Sequence, residues 1–322
     1  MLTVVVPCYN EEANLEELHR QLSATLPLVA DDWQIVLVND GSKDRTEEIG
    51  LALAARDKRV QLLSFSRNFG KEPAMLAGLD HAHGDAVIIM DGDLQHPVEM
   101  IPTLVERHLQ GFDQVIARRN RKDDPKLRTA LSRMFYWLFN KLIEVPLNDG
   151  SGDFRLLSRR AVAALTGLRE ANRFSKGLFS WIGYPTAVVE YENVQRGGGQ
   201  SSWTLHKLFD YAIDGILSFN TKPLRAAIWI GGTMIGLMFL YLLWLIISVA
   251  VLGVQTPGYV TTMAAVILMA GVQLVVTGVI GEYVGRIYSE VKNRPAYLLK
   301  IDTEADGTAI SPSTTHVLPE TQ

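Results

Sequence analysis

Two acids one residue apart, Asp91 and Asp93, have the types and spacing that could do chemistry in this 322-residue chain. They follow an apolar run, Val87 to Met90, that reads as a buried strand of a parallel sheet. Such sheets take their ligands just beyond the carboxyl ends of the strands. Side chains at i and i+2 of an extended backbone point the same way. Two converging carboxylates repel unless something positive lies between them. A hard divalent cation that still carries a substrate phosphate would satisfy them. Asp-Gly-Asp is also common turn chemistry, and the motif alone leaves both readings open.

The elements that must position these acids follow from periodicity. Thr3 to Pro7 predicts a first strand, and Asn14 to Leu26 a helix with leucines at 15, 18, 22 and 26. Trp33 to Val38 is a second strand, Asp44 to Arg56 a helix, Val60 to Phe65 a third strand and Glu72 to His83 a third helix. The strand before Asp91 is then the fourth; a helix over 98–110 and a strand from Phe112 to Ala117 follow. Strands alternating with helices predict an α/β domain with a doubly wound, mostly parallel sheet. No G-x-G-x-x-G follows the first strand and no G-x-x-x-x-G-K-[ST] occurs, which removes the usual dinucleotide and P-loop readings. Acids stand at successive strand ends instead: Glu11, Asp40, then Asp91 and Asp93. That pattern suggests a crevice for a cation-bound ligand.

Cations come later in the chain. Arg118, Arg119 and Arg121, with Lys126 and Arg128 beyond, read either as a solvated loop or as a phosphate cradle, because Arg forks match phosphate oxygens. The aromatic stretch 131–143 suits a core helix or one lying on a bilayer surface. Asp149 to Arg155 reads as a glycine-punctuated loop carrying Asp153 and Arg155, ahead of a helix over 159–168. Arg196 to Trp203 is a glycine loop with one cation, by itself a linker, and 204–219 is an amphipathic helix.

A net charge of −4 does not suggest a nucleic-acid binder. The single cysteine, Cys8, excludes an internal disulfide framework, points to a reducing compartment and reads as a small buried residue. Met1 runs into Leu-Thr-Val-Val-Val without a basic n-region, so the N-terminal part is expected to stay in the cytoplasm. The composition then changes: Ala226 to Gly281, 56 residues, holds no Lys, Arg, Asp, Glu or His. At ~1.5 Å per residue, Trp229 to Leu252 and Tyr259 to Ile280 each suffice for a hydrocarbon core of ~30 Å. Lys222 and Arg225 flank the start of this hairpin, and Arg286, Lys292 and Arg294 its end, so both ends are expected in the cytoplasm. Glu282 is costly at that depth and is expected to pair with a cation of the soluble domain. The tail from Asp302 is polar and expected to be disordered. The expected boundaries are a soluble α/β domain over 1–200, a juxtamembrane helix over 201–222, two spans within 223–285 and a polar tail over 286–322.

With these residues placed, the chain resembles a family 2 glycosyltransferase of the polyisoprenyl-phosphate group. It is similar to dolichol-phosphate mannose synthases, and closer to bacterial bactoprenol glucosyltransferases with two C-terminal spans. The stretches that carry the likeness are Val-Val-Val-Pro-Cys-Tyr-Asn-Glu-Glu (4–12), Val-Asn-Asp-Gly-Ser-Lys-Asp (38–44), Ser-Arg-Asn-Phe-Gly-Lys (66–71) and Met-Asp-Gly-Asp-Leu-Gln-His-Pro (90–97). Gly-Asp-Phe-Arg-Leu-Leu-Ser-Arg (152–159) and Gly-Glu-Tyr-Val-Gly-Arg-Ile-Tyr (281–288) complete the set. The resemblance implies a GT-A type fold followed by a two-helix transmembrane hairpin. It assigns Pro7, Tyr9, Glu11, Asp40, Lys71, Asp91 and Arg118 to the nucleotide-sugar, and Asp91, Asp93 and Gln95 to a divalent metal, Mg2+ or Mn2+. Asp153 is the acid proposed in relatives as base or acceptor-orienting group, with Asp93 beside it in the catalytic set. Arg121, Arg128, Arg155, Arg196 and Ser201 are assigned to the acceptor and its phosphate. One departure stands out: many relatives carry Gly-x-Ser-Lys-Tyr where this chain has Gly199-Gln-Ser-Ser-Trp203, so Ser202 replaces the usual cation.

The reaction so implied is inverting transfer of a hexose, glucose by closeness of resemblance, from a UDP-sugar to undecaprenyl phosphate. It would occur at the cytoplasmic face of a bacterial inner membrane, and exposed helices there would suit a homo-oligomer. Mannose, galactose, N-acetylglucosamine and aminoarabinose are the alternative sugars. A processive synthase would show Gln-x-x-Arg-Trp, which is absent. A non-catalytic scaffold or flippase subunit would have no use for acids at strand ends.

Overall fold

A computed structural model describes residues 1–120, 151–191, 222–252 and 258–303. The expected elements over 131–143 and 204–219, and the residues Arg121, Arg128, Arg196, Ser201 and Ser202, lie outside these described residues.

Four strands, β1 (Leu2–Cys8), β2 (Trp33–Asn39), β3 (Val60–Phe65) and β4 (Ala86–Ile89), are buried at every position. Their near-continuous Val, Ile and Leu are what a sheet covered on both faces requires. They pair in parallel in the order β4-β1-β2-β3. Helices α1 (Leu15–Thr25) and α2 (Thr46–Arg56) follow β1 and β2, while α3 (Lys71–Asp80) follows β3. Leu15, Leu18, Leu22 and Leu53 pack on one face with Val4, Val6 and Ile35; Ala74, Met75 and Ala77 of α3 pack on the other with Val5, Val36 and Leu63. Helices on opposite faces make the sheet doubly wound, and every strand of this parallel unit ends at one edge.

The rest of the sheet adds two antiparallel strands, and the whole stays mostly parallel as expected. Helix α4 (Ile101–Leu109) leads to β5 (Gln114–Arg119). The expected loop 149–155 is instead the start of a strand, β6 (Ser151–Ser158), which runs antiparallel between β4 and β5. Phe154, Leu156 and Leu157 are fully buried, and that apolar alternate packing on two neighbours outweighs the turn propensity of the glycines. Helices α5 (Arg159–Gly167) and α6 (Ser175–Trp181) follow, and β7 (Thr186–Tyr191) completes that edge in parallel with β5. The other edge is closed by β8 (Leu299–Asp302), antiparallel to β3. The eight strands run β7-β5-β6-β4-β1-β2-β3-β8, a mixed α/β sheet of the GT-A type.

Two long helices, α7 (Lys222–Leu252) and α8 (Tyr259–Val291), are mostly apolar and touch each other. Their windows Gly231–Ser248 and Leu268–Val291 are long and apolar enough to cross a membrane, and leave Phe239, Trp244 and Leu274 exposed. Glu282 pairs with Arg286 one turn along its own helix, at 3.1 Å. That i,i+4 partner takes the place of the expected cation from the soluble domain.

Candidate active site

The loops after β1, β2, β3 and β4 enclose a pocket of ≈ 340 Å³ at the carboxyl edge of the parallel strands. Pro7 comes from the end of β1, Tyr9 and Glu11 from the first loop, Asp40 from the second, Gly70 from the third with Lys71 opening α3, and Asp91, Gly92 and Asp93 from the fourth. The register explains the convergence: Cys8 lies opposite Asn39, and Val5 opposite Ile89, so successive strand ends arrive side by side. Cys8 forms the pocket floor as a buried thiol whose hydrogen points to the Val6 carbonyl. Burial, then the nearby Glu11 and Asp91, push that thiol far above its usual range, so it is no nucleophile.

Asp40 orders one wall. Its carboxylate accepts the backbone N–H of Phe69 at 2.6 Å and of Gly70 at 2.9 Å. Burial nevertheless raises its pKa, against those two donors. Gly41 next to it sits at φ 63°, where a β-carbon would collide with the backbone of Arg67 and Asn68. Only glycine lets the second and third loops approach this closely.

Lys71 ties the site together. Its ammonium lies 2.6 Å from Asp91 Oδ1 and 2.6 Å from Asp153 Oδ2, although Asp153 is 82 residues away in sequence. Burial opposes the charge on all three groups, but the pairing wins. Asp91 and Asp153 are held below the usual carboxylate range and Lys71 above its own. The trio is therefore one ammonium between two carboxylates at neutral pH.

The second oxygen of Asp91 meets His96 Nε2 at 3.3 Å, and His96 Nδ1 meets the Tyr191 hydroxyl at 3.1 Å. One tautomer satisfies the chain, with Tyr191 donating to Nδ1 and Nε2–H donating to Asp91. The imidazole also packs on Phe154, ring centroids 4.9 Å apart. Neither His96 nor Tyr191 was expected in the site from sequence. His96 stood in plain view five residues after Asp91, whereas nothing local connects Tyr191 to it.

Three expected ligands sit otherwise. Gln95 donates its side-chain amide to Asp93 Oδ2 and its backbone N–H to Oδ1, and so steadies that acid from outside the pocket lining. Arg118 extends from β5 to Glu190 of β7 at 2.5 Å, an ion pair across adjacent strands that draws it away from the pocket lining. Arg155 is 2% exposed, stacks 3.7 Å over the Phe179 ring and donates to the Gly152 carbonyl at 2.8 Å. Burial lowers its pKa to about 10. In these contacts it braces the strand that carries Asp153.

Among the described residues no three His, Cys, Asp or Glu side chains converge on one point. Asp91 and Asp93, hard oxygen donors both lining the pocket, suit a cation that draws its remaining ligands from water and phosphate. The Lys71 ammonium seated against Asp91 shows that this position already attracts positive charge.

Residues 3–166 match the family described as Glycosyl transferase family 2, and residues 222–287 match the GtrB C-terminal hairpin. A putative glycosyltransferase, CsbB, of Bacillus subtilis is 48% identical over 93% of this chain and 91% of its own. The SfII prophage-derived bactoprenol glucosyl transferase of Shigella flexneri is 46% identical over 93% of this chain and 97% of its own. A crystal structure of glucosyl-3-phosphoglycerate synthase from Mycobacterium tuberculosis aligns with a TM-score of 0.45 at 22% identity, over 67% of this chain and 77% of that one.

Proposed function

We propose a reaction for a chain that belongs to glycosyl transferase family 2 and is a glycosyltransferase: transfer of glucose from UDP-glucose to a polyprenyl phosphate, with inversion, at the cytoplasmic membrane face. The product would be a lipid-linked sugar for modification of cell-envelope glycans. The observation that carries this reading is Lys71, which joins Asp91 of the pocket to Asp153 of β6 across a single ammonium. The relatives named as bactoprenol glucosyl transferases support the sugar and the acceptor.

In this reading the nucleoside lies along Pro7, Tyr9, Glu11 and Asp40, and the diphosphate points toward Asp91 and Asp93. A phosphate oxygen of the acceptor attacks the anomeric carbon from the face opposite the leaving group. The bond from that carbon to the diphosphate oxygen breaks, and its electron pair leaves with UDP. The acceptor, with a second pKa of ~6, is already mostly dianionic at neutral pH and needs little help losing a proton. Asp153, kept ionised by Lys71, therefore orients; Lys71 supplies positive charge between the two acids. Asp91 and Asp93 would hold the divalent ion, which when bound neutralises charge developing on the leaving diphosphate. Helices α7 and α8 would cross the bilayer and keep the pocket near lipid headgroups.

The test is transfer of radiolabel from UDP-glucose to undecaprenyl phosphate by the purified full chain, with metal and with EDTA. Labelled lipid that depends on metal is the expected result. Absence of labelled lipid with every sugar nucleotide tried would sink the proposal.

A further inference from the structure

The segment that leaves α8 turns back and joins the catalytic sheet. Glu290, on the last turn of α8, accepts the backbone N–H of Ala171 at 2.9 Å. Leu298 accepts Ser66 N–H at 3.0 Å, and β8 then pairs with β3. Lys300 meets Glu47 at 2.7 Å, Asp302 accepts from Gln61 at 2.7 Å, and Thr303 exchanges bonds with Leu62.

At the centre of this return stands Tyr297, which touches the far end of α3 at Asp80 and reaches toward its start through Phe65 of β3. Its ring stacks on Phe65 with centroids 5.2 Å apart, and Phe65 meets Phe69 edge-on at 5.7 Å. Phe69 and Gly70 give their N–H groups to Asp40, and Lys71, the first residue of α3, follows directly. At the far end of the helix the Tyr297 hydroxyl donates to Asp80 at 2.9 Å, and Arg169 forks onto the same carboxylate at 2.8 and 3.0 Å. Three rings, Tyr297, Phe65 and Phe69, thus run from beyond α8 to the wall of the pocket, and one helix carries the contact from Asp80 back to Lys71.

We propose that residues 290–303 are a clasp that fixes the catalytic sheet to the end of α8, with Tyr297 as the positioning residue that braces loop 66–71 and the start of α3. The consequence for sugar-nucleotide binding rests on the pocket reading above; the bracing itself does not. A strand that merely covers a sheet edge would need no aromatic relay to the pocket wall.

Hydrogen exchange of the full-length protein in nanodiscs, without nucleotide, tests the clasp with Tyr297→Ala and Tyr297→Phe. In Tyr297→Ala, peptides over 66–71 are expected to exchange about three- to tenfold faster, in keeping with the loss of an aromatic pair. Tyr297→Phe keeps the stack and should leave 66–71 near wild type. In turnover assays Tyr297→Ala should raise KM for UDP-glucose by a similar factor while kcat stays within about twofold. Faster exchange confined to 60–65 and 297–303, with KM unchanged, overturns the proposal. Should Tyr297→Ala not fold, Tyr297→Leu is judged by the same two readouts. Faster exchange at 66–71 in a protein that turns over no sugar nucleotide supports the clasp and counts against the reaction proposed above.

Discussion

Lys71 between Asp91 and Asp153 is the arrangement that makes the site a unit rather than a row of acids. Removing its charge leaves two half-buried carboxylates close together, so Lys71→Met is expected to lower kcat/KM by about 10²–10³-fold, as loss of a preorganised charge does. Asp153→Asn should lower kcat while leaving nucleotide affinity within about twofold, because the proposed reaction puts Asp153 on the acceptor side; isothermal titration with UDP separates the two effects. His96 tests the position behind Asp91. His96→Ala is expected to weaken Mn2+ binding about 10–100-fold in a direct titration, the usual cost of losing a hydrogen bond that orients a ligand. Tyr191→Phe should weaken it less, since the imidazole keeps its packing on Phe154. Unchanged Mn2+ affinity in His96→Ala would remove His96 from the site.

At the scale of elements, α3 and the strand-end loops do the positioning. Gly41→Ala introduces a β-carbon into the backbone of Arg67 and Asn68 at a positive φ, and is expected to cost roughly 1–3 kcal/mol. Chemical denaturation measures it, and a cost near zero would mean the two loops can separate. Glu72, in the first turn of α3, accepts both the N–H and the hydroxyl of Ser175 at the start of α6. Burial pushes its carboxyl above the usual range, against the pull of Ser175. Below the unfolded value of about 4.3 the group is neutral in both states and carries no penalty. As pH rises through the folded value a buried carboxyl must ionise, and stability falls. Glu72→Gln keeps an acceptor for Ser175 and removes that charge. Its melting temperature relative to wild type is therefore expected to rise as pH climbs from about 4 toward neutrality. A gap that does not change with pH would show that Glu72 is already neutralised by its neighbours.

At the scale of the molecule, α8 matters most. Its 33 residues span about 50 Å, against a hydrocarbon core of about 30 Å. If α8 crosses the bilayer as proposed, its length leaves about 20 Å outside the hydrocarbon core, room for Glu290 and Tyr297 to engage the sheet. A two-helix hairpin returns the chain to the side it left, so a cysteine placed in the connecting turn, as in Gly258→Cys, should react only from the face opposite the catalytic domain. Cys8 is buried and does not compete for the reagent. Labelling from the same face as the catalytic domain would rule out the hairpin.

The sequence by itself determined what periodicity and composition encode locally. Those are the four parallel strands, the helices between them, the acids at the strand ends and the two apolar stretches. Each depends on contacts within a few residues or on a uniform solvent, so each leaves a readable pattern. Tertiary structure decided the rest. The glycines of 149–155 read as a loop until β6 is seen wedged between β4 and β5, where burial of Phe154 overrides turn propensity. That Arg118 pairs with Glu190 on the neighbouring strand, and that Arg155 lies over the Phe179 ring, are contacts that local sequence does not encode. The return of β8 to β3 spans more than two hundred residues, and no local pattern announces a partner at that distance. Asp91 and Asp153 were each legible as acids; that one lysine would hold them together is a fact of the fold.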